Sequence, residues 1–316
     1  MSSIASNHAR AALSSGWGSL PAEYAIPEQA PALAEAQAYC RRLARTHYEN
    51  FSVATWFLPQ RLRQHFFNVY AYCRISDDLG DEVGDAGASL QLLDEWEAEL
   101  EACYQGGPRH PVFVALGETV RLFDIPRQPF SDLLTAFRQD QRITRYATFD
   151  ELIGYCRYSA NPVGRLVLYL CGYRDAERQQ LSDFTCSALQ LANFWQDVSV
   201  DYAKGRIYLP SEDLARFGVT EADIAAKNNS PAFCEMMKFE VARAREWFAK
   251  GLPLAGKVNS ELAIDIELFS RGGQQILKAI ELQGCAVLGR RPVISKSRRL
   301  ALVAQAAMGK LLGRRV

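Results

Sequence analysis

The stretch Tyr70-Ala71-Tyr72-Cys73-Arg74-Ile75-Ser76-Asp77-Asp78-Leu79-Gly80-Asp81-Glu82 is answered, over 100 residues later, by Asn193-Phe194-Trp195-Gln196-Asp197-Val198-Ser199-Val200-Asp201. Acidic or amide side chains recur in both at i and i+4: Asp77 with Asp81, then Asn193 with Asp197 and Asp201. That spacing stacks them on one helix face about one turn apart. Their neighbours are apolar (Phe66, Phe67 and Val69 before the first run; Leu189, Leu191, Phe194 and Trp195 around the second), so neither stripe reads as an ordinary solvated face. Carboxylates in apolar surroundings need a cation, and two such stripes facing each other would hold a hard divalent metal through oxygen ligands.

Working outward, the apolar spacing stays helical almost everywhere beyond residue 31. Ala36, Cys40, Leu43 and His47 fall on one stripe, as do Leu93, Trp96 and Leu100. Phe233, Met237, Val241 and Ala244 form another, and Leu262, Ile266, Phe269 and Ile276 a fourth. Period-2 β-branched runs are nearly absent, whereas Pro111, Pro126, Pro129, Gly205, Pro210, Gly218, Pro231 and Pro253 punctuate the chain as helix boundaries. The expectation is an all-α protein of ten to twelve helices in one domain. Residues 1–30, rich in Ser, Ala, Pro and Gly, read as a flexible leader, 31–289 as the helical domain and 290–316 as a basic tail. The leader has Arg10 and no acid before Glu23, a faint likeness to a transit peptide.

Net charge is zero but uneven. Residues 290–316 hold eight basic side chains and no acid, leaving 28 basic against 36 acidic in the first 289 residues, a net of −8. The tail, from Ser297 to Arg315, has the pattern of an amphipathic helix with cationic ends. It suits the surface of an anionic membrane, or else the acidic body; without interleaved aromatics it does not suit nucleic acid. The eight cysteines never come closer than 15 residues, so no CxxC pair exists and reduced thiols in a cytoplasmic protein are expected. No apolar run approaches the roughly 18–20 residues that span a bilayer.

Arg74 lies three residues before Asp77, with Tyr70 one turn earlier on the same face. Metal-binding acids with a guanidinium beside them suit a diphosphate, although an Arg–Asp ion pair within one helix explains the same spacing. After the second run come Lys204, Arg206 and Tyr208, read as a basic flap over the same phosphates or as a plain basic helix end.

The two runs, the second extended to Pro210, resemble the paired aspartate motifs of the squalene/phytoene synthases, over roughly residues 35–285. The resemblance implies an isoprenoid-synthase fold, with the motifs on opposing walls of a central cavity. It implies that Asp77, Asp81, Asn193, Asp197 and Asp201 hold Mg2+ on the diphosphate with Asp78 as an adjunct, and that Tyr70 and Arg74 contact phosphate. The segment Tyr155-Cys156-Arg157-Tyr158-Ser159-Ala160-Asn161-Pro162-Val163-Gly164 matches the family's central helix, with Tyr155 on its active-site tyrosine.

Three departures are informative. Asn161-Pro162 stands where Gly and a small residue are usual. His47-Tyr48-Glu49-Asn50-Phe51 replaces a Ser-containing phosphate-contact segment, putting Asn50 and Phe51 at substrate. Gln196 replaces the Arg usually preceding the aspartate. Together they resemble the bacterial hydroxysqualene synthases of the hopanoid pathway. That branch is a set of carbon–oxygen lyases that ionise presqualene diphosphate, a C30 prenyl diphosphate, and quench the cation with water. No NAD(P)H is expected, and other enzymes of that pathway are candidate partners. The alternatives are a head-to-head synthase making presqualene diphosphate, squalene or phytoene, and a non-catalytic assembly factor of the same fold.

Aromatic faces stabilise a carbocation, and Phe51, Phe194, Trp195, Tyr155 and Tyr158 are available for such a wall, or merely for packing. Asn161 and Tyr158 are candidates to hold the quenching water; the alternative is that Asn161 satisfies a carbonyl freed by Pro162. His47, a lone histidine on an apolar face, reads as core.

Overall fold

In the computed structural model the described residues are 20–46 and 59–294. They form twelve α-helices and two short 3-10 turns, with no strand among them, so the fold is all-α as the apolar periodicity requires. No helix among the described residues is long and apolar enough to cross a membrane. Although no linker is visible in the sequence, the helices gather into two compact units, residues 20–46 with 60–142 and residues 143–294.

The first unit contains α1 (Leu33–Thr46), α2 (Gln60–Asp81), α3 (Ala86–Gln105), α4 (Pro111–Phe123) and α5 (Gln128–Asp140). Its centre is the fully buried Tyr72 of α2. That ring meets Phe113 and Phe130 edge-on and lies near-parallel to Trp96, while its hydroxyl donates to the Phe130 carbonyl at 2.8 Å. Trp96 Nε1 donates to Ser76 Oγ at 2.9 Å, which ties α3 to the turn that carries Asp77. At Gly80 a Cβ would stand 3.2 Å from the Phe137 ring, so glycine is what lets α5 close on the end of α2. The expected stripes of α1 and α3 are both buried: Ala36, Cys40 and Leu43 on one, Leu93, Trp96 and Leu100 on the other.

The second unit contains α6 (Phe149–Ser159), α7 (Asn161–Leu170), α8 (Ala176–Ala203), α9 (Ser211–Phe217), α10 (Glu221–Ala225), α11 (Pro231–Gly251) and α12 (Ser260–Leu282). The 28-residue α8, about 42 Å long at 1.5 Å per residue, is the post on which α7, α11 and α12 pack. Phe233, Met237, Val241 and Ala244 of α11 are buried as the spacing predicts.

Four expectations are corrected. Residues 22–24 do not read as leader, because Ala22–Tyr24 form a 3-10 turn and Tyr24 is buried, its hydroxyl donating to Asp78 at 2.7 Å. The helical body does not stop at residue 289, since residues 290–292 are bonded to α8 and to the end of α12. The stripe Leu262–Ile276 holds only at its start in α12: Leu262 is buried and Ile266 packs against it, but Phe269 is 41% exposed and the buried side continues through Ser270, Gly273 and Leu277. A Cβ at Gly273 would fall 2.4 Å from Phe248 and 2.8 Å from Leu189, so the smallest residues define that contact and the largest ring is turned aside.

The fourth concerns the central segment. Residues 155–164 are two helices, not one: α6 ends at Ser159 and α7 begins at Asn161 with Pro162 in its first turn. Proline there removes no intrahelical hydrogen bond, since the first amides of a helix have no partner in it.

Candidate active site

In the first unit, Asp77 and Asp81 lie one turn apart on α2, each partly exposed, with the Asp77 side chain 51% exposed. The stripe is therefore open and not turned into the core, against the expectation from its apolar neighbours. Asp78 points the other way. It is buried, and accepts from Arg74 on both oxygens (3.0 Å from Nε to Oδ2, with a short contact from Nη2 to Oδ1) as well as from Tyr24. The residue expected as an adjunct to the metal is thus engaged in holding Arg74, which also reaches Asp77 at 3.6 Å. Burial, with the Asp78 bond next, pushes the Tyr24 phenol well up, so it stays a donor. Tyr70, half-buried one turn before Arg74, is likewise raised by burial.

In the second unit, α8 carries Asn193 exposed, Asp197 buried and Asp201 half-buried. Phe194, one residue from Asn193, stacks on Tyr208 with ring centroids 3.9 Å apart and planes at 10°. Tyr155 of α6 joins the same group at 6.2 Å from Phe194 and 5.8 Å from Tyr208, and Tyr146 closes it at 5.9 Å from Tyr208. Tyr208, placed in the sequence on a basic flap, is buried in this aromatic stack. The loop after α8 is fastened as well: Gly205 turns it at φ 81°, Arg145 donates to the Gly205 carbonyl at 2.7 Å, and the Ile207 amide donates to Thr144 at 2.9 Å. Lys204 is exposed and Arg206 half-buried beside that turn. Trp195 is wholly buried and packs as core.

Asn161 is 7% exposed at the start of α7, where its Oδ1 accepts from the buried Ser187 hydroxyl of α8 at 2.9 Å. Ser187 and Phe194, seven residues apart, share a face of α8 about 10 Å apart along its axis. The approach of α7 is close. A Cβ on Gly164 would stand 2.3 Å from Ser182 Oγ and 2.5 Å from Cys186 Sγ.

Beside position 196 lies a guanidinium from elsewhere in the chain. Arg291 donates to both oxygens of Asp197, 2.9 Å from Nη2 to Oδ2 with a short contact from Nε, and lies 3.3 Å from Gln196 Oε1. Gln196 in turn donates to the Pro292 carbonyl at 2.5 Å. Arg291, like Ser187, Tyr146 and Tyr24, is a residue of the site that the sequence does not announce: it reads as part of the tail, and nothing local signals a partner 94 positions away. Asn50 and Phe51, with His47, lie outside the described residues.

The donors are carboxylates and one carboxamide, all oxygen, which suits Mg2+ and not a thiolate-seeking metal. Among the described residues no three His, Cys, Asp or Glu side chains form a cage that could hold an ion by themselves. Mg2+ is commonly bound by one or two carboxylates together with water and phosphate oxygens. The eight cysteines form no disulfide, and burial pushes the Cys40 thiol up to about 12, so it stays protonated.

A family model described as squalene/phytoene synthase matches residues 44–298. The phytoene synthase of Arthrospira platensis is 35% identical over 222 residues, 66% of this chain and 72% of its own. The 15-cis-phytoene synthase of Synechocystis is 31% identical over 288 residues, 87% of this chain and 86% of its own. Among solved structures, squalene synthase HpnC from Alicyclobacillus acidocaldarius is similar at a TM-score of 0.77 and 45% identity, covering 85% of this chain and 98% of that one. A dehydrosqualene synthase solved with a ligand gives a TM-score of 0.80 at 26% identity, covering 89% and 98%. With its all-α fold, its two carboxylate stripes and a family match over most of its length, this chain belongs to the squalene/phytoene synthases, a family of enzymes acting on prenyl diphosphates.

Proposed function

We propose that this enzyme converts presqualene diphosphate and water to hydroxysqualene and diphosphate. The observation that carries this reading is the buried Asn161–Ser187 pair, a polar spot between two helices at the position where the family usually has glycine. The 45% identity to squalene synthase HpnC supports the squalene side of the family.

In this reading Asp77 and Asp81, with Asn193, Asp197 and Asp201, would hold Mg2+, which when bound would supply positive charge to the leaving diphosphate. Arg74, fixed in place by Asp78, and Lys204 and Arg206 supply further positive charge to the departing anion. Asn50, Phe51 and Tyr70 complete the contacts to the substrate. Phe194, Tyr208 and Tyr155 present ring faces to the cation that remains. The amide nitrogen of Asn161, whose oxygen is tethered by Ser187, orients the water that adds to carbon, and the proton lost from that water passes to the released diphosphate. The reaction needs no NAD(P)H.

The second reading, condensation of two prenyl diphosphates as in a phytoene synthase, is favoured by the curated relatives at 31–35% identity. A non-catalytic assembly role is disfavoured by the intact carboxylate stripes.

Purified protein with Mg2+ is incubated separately with presqualene diphosphate, farnesyl diphosphate and geranylgeranyl diphosphate, and the lipid products are identified. Hydroxysqualene from the first alone is the expected result, and Asp77→Asn lowers its formation by about 100-fold or more. Presqualene diphosphate or phytoene formed from the shorter substrates would establish the second reading instead.

A further inference from the structure

The chain beyond α12 is laced back along the last turns of α8. Gly284 and Cys285 turn it with φ of 66° and 63°. Asn229 Oδ1 accepts from the Leu288 amide at 3.1 Å, Ser199 Oγ donates to the Leu288 carbonyl at 2.6 Å, and Gln196 donates to the Pro292 carbonyl at 2.5 Å. Cys285, Val287 and Leu288 are each about 1% exposed, so this strap is buried. Its polar end is Arg291, with a side chain 47% exposed, whose guanidinium occupies both oxygens of Asp197. Asp201, one turn further on, adds its field to the same guanidinium.

We infer that Arg291 is a latch: it holds Asp197 closed to a divalent cation, and loading of the metal displaces it and loosens the strap 285–292 from α8. The inference rests on the reading of Asp197 as a metal ligand. A guanidinium on both oxygens of one carboxylate competes with a cation for the same lone pairs and leaves less negative charge for it, and the two positive charges repel. Half-exposure lets the guanidinium swing into solvent at small cost, whereas a fully buried arginine would be stranded. With Arg291 in place the second stripe is partly neutralised, so bare metal binds it weakly and the ion enters together with its anion. Gln196 suits this arrangement. It holds the strap through neutral hydrogen bonds, where an arginine at that position would repel Arg291.

The test uses the full chain without prenyl substrate. Binding of Mn2+ alone is measured calorimetrically for the wild type, Arg291→Gln, Asp197→Asn and the double variant. Hydrogen exchange of residues 284–294 is followed in the wild type with and without Mg2+ plus inorganic pyrophosphate. Arg291→Gln is expected to bind Mn2+ about tenfold more tightly than the wild type, and loading is expected to speed exchange across the strap. If Arg291→Gln leaves the affinity unchanged while Asp197→Asn weakens it, the metal reading stands and the latch is overturned. If Asp197→Asn added to Arg291→Gln binds Mn2+ as Arg291→Gln alone does, the metal reading fails and takes the latch with it. Strap exchange that stays equally slow on loading overturns the latch whether or not the Arg291 variant folds.

Discussion

Asn161 and Gln196 show how much one side chain's meaning depends on its partner. Both stood out in the sequence as departures from a family pattern, one seeming to add a polar group and the other to remove a charge. Asn161 proves to be tethered by Ser187, 26 residues away, and Gln196 sits against a guanidinium from Arg291. Asp78 carries the same lesson. It shares a motif with Asp77 and Asp81, yet the 100° step between adjacent helix positions turns it into the core, where Arg74 and Tyr24 engage it. A side chain held by one buried hydrogen bond keeps its geometry only while that bond exists. Replacing Asn161 by Gly is therefore expected to reduce hydroxysqualene by about tenfold relative to other C30 products. Product analysis by gas chromatography checks this, and an unchanged product profile removes Asn161 from the quench.

At the scale of elements, periodicity located most buried faces because the apolar stripe and the contact surface coincide when side chains of ordinary size pack. It failed in α12, where Gly273 admits Phe248 and Leu189, and at the α6–α7 junction, where a break preserves the local helical spacing. Nor does periodicity mark buried charge. Glu240 of α11 is fully buried beside Asp213 and Arg243, and Arg243 lies over the rings of Phe149 and Phe239 at 4.1 and 4.3 Å. Burial raises the Glu240 carboxyl to about 8, so near neutrality it is protonated in the folded state and ionised in the unfolded one. The raised value means that its contribution to stability is fully present below the unfolded value of 4.5 and is lost as pH rises to about 8. Glu240→Gln, which cannot ionise, is expected to gain in Tm on the wild type by about 5 °C or more between pH 5 and 8, with no further gain above. A constant difference across that range would place the proton elsewhere; thermal melts at each pH decide it.

For the molecule as a whole, the division of charge invites the proposal that the basic end attaches the enzyme to an anionic leaflet, where the lipid chain of a prenyl diphosphate would reside. The structure refines where to cut. Deleting from residue 290 would remove Arg291 along with the tail, so the informative truncation ends the chain at Ile294 and removes residues 295–316 with their six basic side chains. At about 1 kcal/mol per basic residue near the surface, the truncated protein is expected to lose at least tenfold in affinity for anionic vesicles while turning over detergent-dispersed substrate normally. Co-sedimentation and activity assays report the two separately, and vesicle binding that survives the truncation excludes the tail. The helical class, most buried faces and the two carboxylate stripes follow from spacings of three, four and seven residues, because a helix brings such neighbours together whatever else the chain does. The pairing of Asp78 with Tyr24, of Asp197 with Arg291 and of Asn161 with Ser187, the break at residue 160 and the strap on α8 depend on residues 26 to 96 positions apart or on the fit of one helix against another. No local rule encodes those distances; they exist only once the chain has packed.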